Sequence, residues 1–152
     1  MRHEANLLHE LTLLAAARTP EAPALLDGAR TLDYAGLAQR IRAFAGALAA
    51  CGVGRGERVG IYLDKRLETV VASFGAPAHG AVFVPINPLL KPEQVGYILR
   101  DCNVRVLVTS SERLAALEET LSGCADLRHV VVVNAAGSPD RPGPIAVHGW
   151  DD

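Results

Sequence analysis

Apolar residues recur at helical spacing over Leu7, Leu8, Leu11 and Leu14 or Ala15, so the chain is expected to open with an amphipathic helix that stops near Arg18-Thr19-Pro20. Pro20 and Pro23 then impose extended chain. Ala24-Leu25-Leu26 and Arg30-Thr31-Leu32 flank Asp27-Gly28, a pair that tolerates the positive φ of a tight turn, which predicts a small β-hairpin. Asp33 can cap a long helix whose Tyr34, Leu37, Ile41, Phe44 and Leu48 form one stripe ending at Cys51-Gly52.

From residue 57 the pattern changes to short β-branched runs separated by amphipathic helices. Strands are expected at Arg58 to Leu63, Ala81 to Val84, Val104 to Val108 and Val130 to Val133. Helices are expected at Leu67 to Ala78, from Pro92 with Val95, Ile98, Leu99 and Cys102 on one face, and near Glu112 to Leu121. Strands of this kind are buried on both sides, so the fold class is α/β, a doubly wound, mostly parallel sheet with flanking helices, preceded by the first helix and the hairpin. From Asn134 to Pro144 the apolar period disappears and Gly137, Pro139, Pro142, Gly143 and Pro144 read as a loop, after which Ile145-Ala146-Val147 can start another strand. The division is therefore an α/β portion over 1–134 and a Gly/Pro-rich linker over 135–152, leading toward a further element.

At 152 residues the chain is long enough for one domain with a substantial core. A net charge of −2, with dispersed charges, argues against capture of nucleic acid or an anionic membrane surface. No secretory signal or membrane span is evident, so the expected location is the cytoplasm. Cys51, Cys102 and Cys124 are odd in number and without a CxxC pair, which reads as ordinary reduced thiols.

Candidate chemistry is thin. Gly52-Val53-Gly54-Arg55-Gly56 follows a helix and precedes a strand, the reverse of a dinucleotide fingerprint, and a helix C-cap plus turn explains it better. Thr109-Ser110-Ser111-Glu112 lies at a strand-to-helix junction, where α/β proteins often bind ligands, but Ser is the preferred cap there and Glu112 would repel an anion. Asp64-Lys65-Arg66 with Glu68 reads as a surface ion-pair cluster. His3, His9, His79, His129 and His148 are scattered, with no metal-ligand spacing, and no Ser or Cys stands in a GxSxG elbow. No catalytic, cofactor-binding or metal residue is assigned.

Three segments carry a resemblance. They are Thr31-Leu32-Asp33-Tyr34-Ala35-Gly36-Leu37, then Gly75-Ala-Pro-Ala-His-Gly80-Ala-Val-Phe-Val-Pro85-Ile-Asn-Pro88, then Leu90-Lys91-Pro92-Glu93-Gln94-Val95-Gly96-Tyr97-Ile98-Leu99. In this order they resemble the N-terminal part of the AMP-forming acyl-CoA synthetases, the adenylate-forming superfamily that includes luciferases and peptide-synthetase adenylation domains. Asp64-Lys65-Arg66-Leu67-Glu68-Thr69-Val70 and Pro85 to Lys91 are similar to bacterial acyl-CoA ligases of exosortase and polysaccharide-export settings. Two positions depart from the family pattern: His79 replaces a small apolar residue, and Pro77 replaces a helix former and is expected to disturb the last helical turn.

The resemblance implies a ligase that joins a carboxylic acid to ATP as an acyl-adenylate and passes the acyl group to coenzyme A. ATP, magnesium and coenzyme A are thus implied for the full-length family. The phosphate loop and catalytic lysine of the family match no position here, so this chain is expected to be a fragment, to need no cofactor and to be inactive alone. Its implied partners are the remainder of the ligase or a second copy through an exposed sheet edge. The rival reading is a stand-alone, non-catalytic α/β interaction or regulatory module; a small nucleotide-binding domain is disfavoured because no phosphate loop stands at a strand-to-helix junction.

Overall fold

The structure, a computed structural model, describes residues 4–135 and 143–152, which form two compact units. The first comprises the chain up to Arg55 together with Lys65–Ala81, and the second comprises Gly56–Asp64 and Val82–Asp152.

In the first unit, helix α1 (Leu8–Arg18) is followed by an antiparallel hairpin of β1 (Pro23–Asp27) and β2 (Arg30–Asp33). The turn closes as expected on Asp27-Gly28, with Gly28 at φ 60° and Arg30 paired to Asp27 at 2.5 Å. Helix α2 (Tyr34–Ala50) starts from Asp33, whose carboxylate accepts the Gly36 N–H at 2.7 Å, and buries Leu37, Ile41, Phe44 and Leu48. Its end is a Schellman closure: the Gly52 N–H donates to the Ala49 carbonyl and the Val53 N–H to that of Leu48, both at 3.0 Å, with Gly52 at φ 70°. Helix α3 (Leu67–His79) packs its Val71, Ala72, Gly75 and Ala76 side against α2. The disturbance expected at Pro77 does not end this helix. It runs on to His79 and closes with the same two-bond pattern, Gly80 N–H to Pro77 and Ala81 N–H to Ala76, so the lost proline donor is absorbed within one turn.

The apolar stripe of α1 corrects the sequence reading. Leu7 and Leu11 are 58% and 56% exposed, whereas Thr12 is buried at 8%. Thr12 tolerates burial because its hydroxyl donates to the His9 carbonyl at 2.9 Å, which removes the penalty of an unpaired polar group.

The second unit holds a parallel sheet of β3 (Arg58–Tyr62), β4 (Val82–Pro85), β5 (Val104–Ser110), β6 (His129–Val133) and β7 (Ala146–Gly149) in the order β4-β3-β5-β6-β7. The order reverses at β3, which makes the sheet doubly wound. Helices α4 (Pro92–Asp101) and α5 (Ser111–Leu121) flank one face, where Val95, Leu99, Leu117 and Leu121 meet Leu107 and Val130 in one apolar cluster. The alternate residues Val59, Ile61, Val106 and Val108 are buried as well. Arg58 closes the end of α4: its guanidinium donates to the Cys102 carbonyl at 2.6 Å and the Asn103 carbonyl at 3.2 Å, where a helix end leaves acceptors over.

The strand expected to start at Ile145-Ala146-Val147 is β7, whose Val147 lies opposite Val130 of β6. Gly137, Pro139 and Pro142 of the expected linker lie outside the described residues.

Candidate functional site

In an open α/β sheet, ligands bind beyond the carboxyl ends of the strands where the order reverses. Here that place is the junction of β3 and β5, and its contents are Tyr62, Asp64, Thr109, Ser110 and Arg113 with the Pro88 carbonyl. Thr109 is fully buried, and its hydroxyl donates to the Tyr62 carbonyl at 3.1 Å, tying the two strand ends together. Ser110 caps α5 by accepting the Arg113 N–H at 3.4 Å, as the sequence suggested.

Arg113 bridges the residues of this junction. Its two terminal nitrogens donate to both oxygens of Asp64 at 2.9 and 3.0 Å, one of them also reaches the Pro88 carbonyl at 3.4 Å, and the guanidinium lies 5.0 Å from the Tyr62 ring centre. The bidentate bond to Asp64 raises the already high pKa of Arg113, so this group is a fixed cation. Asp64 is 69% exposed, and solvent screening keeps the pair's worth small despite its geometry. The Tyr62 hydroxyl donates to the Leu90 carbonyl at 2.9 Å.

The sequence placed Asp64, Lys65, Arg66 and Glu68 in one charge cluster. Within it Arg66 pairs with Glu68 at 2.5 Å, and Asp64 pairs with Arg113. Burial opposes ionisation of Glu68, but the hydrogen bond and charge of Arg66 outweigh it and hold the carboxyl below its ordinary range.

These contacts decide what the crevice can do. A triphosphate brought to it would meet the Asp64 carboxylate and a guanidinium already bound to that carboxylate. The contacts present tie the ends of β3 and β5 to the start of α5 and leave the Arg113 guanidinium taken up by Asp64. The glycine run at 52–56 is likewise a helix closure and turn, with Gly52 and Gly56 at φ 70° and 76°.

His79, the other departure from the family pattern, has a structural task. Its Nε2 lies 2.7 Å from the Val53 carbonyl and must carry the proton, joining the end of α3 to the turn after α2. Two further histidines are brought together by register alone. His129 Nδ1 and His148 Nε2 lie 3.1 Å apart on adjacent strands, which a spacing of 19 residues could not reveal. The three cysteines are free thiols, and burial raises the pKa of Cys51 and Cys124, which favours the neutral thiol.

Known proteins place this scaffold. The 3-hydroxybenzoate–CoA ligase of Aromatoleum sp. is 37% identical over 123 residues, covering 81% of this chain and 23% of the relative. The L-proline–[L-prolyl-carrier protein] ligase of Pseudomonas fluorescens is 33% identical over 133 residues, covering 88% of this chain and 26% of the relative. Among solved structures, an anthranilate CoA ligase in complex with anthranoyl-AMP superposes with a TM-score of 0.80 at 32% identity, over 83% of this chain and 24% of that one. Coronafacic acid ligase from Pectobacterium brasiliense reaches 0.86 over 95% of this chain and 28% of its own length; at 17% identity this supports the fold alone. The chain thus spans about a quarter of the length of these relatives. Residues 14–148 match the model of the AMP-binding enzyme family, and the chain belongs to that family as a portion from its N-terminal side.

Proposed function

We propose that this chain is the N-terminal scaffold portion of an AMP-forming ligase that activates a carboxylic acid with ATP and magnesium as an acyl-adenylate and transfers the acyl group to the thiol of coenzyme A. The observation that carries the proposal is the family match over 14–148 combined with a coverage of 23% of a CoA ligase relative. The crevice chemistry supports a scaffold role: Arg113 is bound to Asp64, and the sequence holds no Gly/Ser/Thr-rich loop with a lysine to cradle a triphosphate. In a ligase that activates a carboxylate, charge developing at phosphorus must be met by aimed donors and cations. Those groups are assigned to the remainder of the enzyme, and the location to the cytoplasm.

The purified chain, given ATP, magnesium and a panel of aromatic and aliphatic carboxylic acids, is expected to exchange no labelled pyrophosphate into ATP. Carboxylate-dependent exchange that copurifies with the chain would overturn the scaffold reading.

The partner is the remainder of the ligase or, in its absence, a second copy. In support, β4 and β7 each pair on one side only among the described residues, and Val82 on β4 is 50% exposed. One-sided strands offer unpaired backbone groups to another chain. Sedimentation should therefore show concentration-dependent self-association, reduced by Val82→Lys; a monomer at all concentrations would refute it.

A further inference from the structure

His129 opens β6, and His148 lies within β7, the last strand of the sheet. In the parallel register Val131 is opposite His148 and His129 is opposite Ala146, so the two imidazoles are diagonal neighbours on the same face. That face is the one opposite α4 and α5, because Val130 and Val132 belong to the cluster those helices cover. The ring centres are 5.3 Å apart with a 33° tilt, and Nδ1 of His129 lies 3.1 Å from Nε2 of His148. Both residues are half-buried, so their main chains are held by the ladder while solvent still reaches the site.

We propose that His129 and His148 form a two-histidine site for a borderline divalent ion of the zinc class, which clamps the edge strand β7 to β6. The bite is suitable. Two nitrogens 3.1 Å apart, each about 2.0–2.1 Å from a metal, subtend an angle of about 100°, between the octahedral and tetrahedral values. Imidazole suits zinc, copper and nickel, and the remaining coordination positions are left for water or other donors. The proton balance also closes. In the hydrogen-bonded neutral pair one facing nitrogen carries a proton and the other a lone pair; on metal binding the donor ring shifts its proton to its outer nitrogen, so both facing nitrogens ligate without net proton release.

The consequence is mechanical. β7 is four residues long and pairs only with β6 among the described residues, so its attachment rests on few backbone bonds. An ion bound to both histidines of the folded sheet and to neither strand alone stabilises the pairing by mass action.

The test uses the whole chain and zinc chloride in a non-chelating buffer. Zinc at about a hundred times its dissociation constant should raise the melting temperature of the wild type, and calorimetry should give one site weakened at least tenfold in either His129→Gln or His148→Gln. His9→Gln, on α1, should leave the response unchanged. If a variant folds poorly, nitrogen-15 spectra of the wild-type histidine rings serve instead, and zinc should shift the His129 and His148 resonances together. Equal zinc affinity in wild type and both variants, zinc shifts confined to other histidines, or no saturable binding at 100 µM would each overturn the site.

Discussion

Replacing Gly75 by valine is expected to lower the stability of the chain by about 2–3 kcal/mol, since overpacking a close contact costs about 1–3 kcal/mol and valine adds β-branching within a helix. The cause is the approach of α3 to α2. A Cβ at position 75 would stand 2.7 Å from Phe44 Cδ1 and 3.3 Å from the Ile41 carbonyl oxygen, and the second of these is backbone that cannot rotate away. For a chain of this size such a loss corresponds to a fall in melting temperature of roughly 5–10 °C. Phe44→Leu should relieve part of the clash, so the double variant should lose less than the sum of the single losses. Strict additivity in urea unfolding would show that the two helices do not meet where the structure places them.

The second large effect belongs to the sheet. Leu107 is wholly buried on the central strand β5, within the cluster that joins α4 and α5 to the sheet. Leu107→Ala removes its outer carbons and leaves a cavity that close packing fills only in part, at a cost of about 2–5 kcal/mol. Leu107→Met keeps the volume and should cost less than about 1.5 kcal/mol. Denaturant midpoints for the pair decide it, and an alanine variant as stable as the methionine one would contradict this core.

Most of this fold is legible in the sequence because its local signals agree with one another. The Asp33 cap, the stripe Leu37-Ile41-Phe44-Leu48 and the Gly52 closure all specify one helix, and the valine runs of β5 and β6 have no other use than a covered parallel sheet. The departures arise where tertiary contacts override local pattern. Leu7 and Leu11 fit a buried stripe by spacing, yet α1 buries Thr12 instead, because a satisfied hydroxyl is cheap to bury. Pro77 is a helix breaker by propensity, yet α3 keeps its last turn through the Gly80 closure. The contents of the crevice were visible only as residue types. That Asp64 binds Arg113 across 49 residues, and that His129 meets His148, follow from strand order and register, which neither periodicity nor motif spacing encodes.

Reading the coding DNA past the codon for Asp152 decides whether this chain is the scaffold portion of a longer adenylate-forming ligase. In frame or just beyond an interrupting stop, a segment rich in Ser, Thr and Gly that contains Pro-Lys-Gly is expected, supplying the phosphate loop that no stretch of this sequence matches. An intact stop followed by unrelated sequence, with no companion ligase segment nearby, would contradict it and favour a stand-alone interaction module.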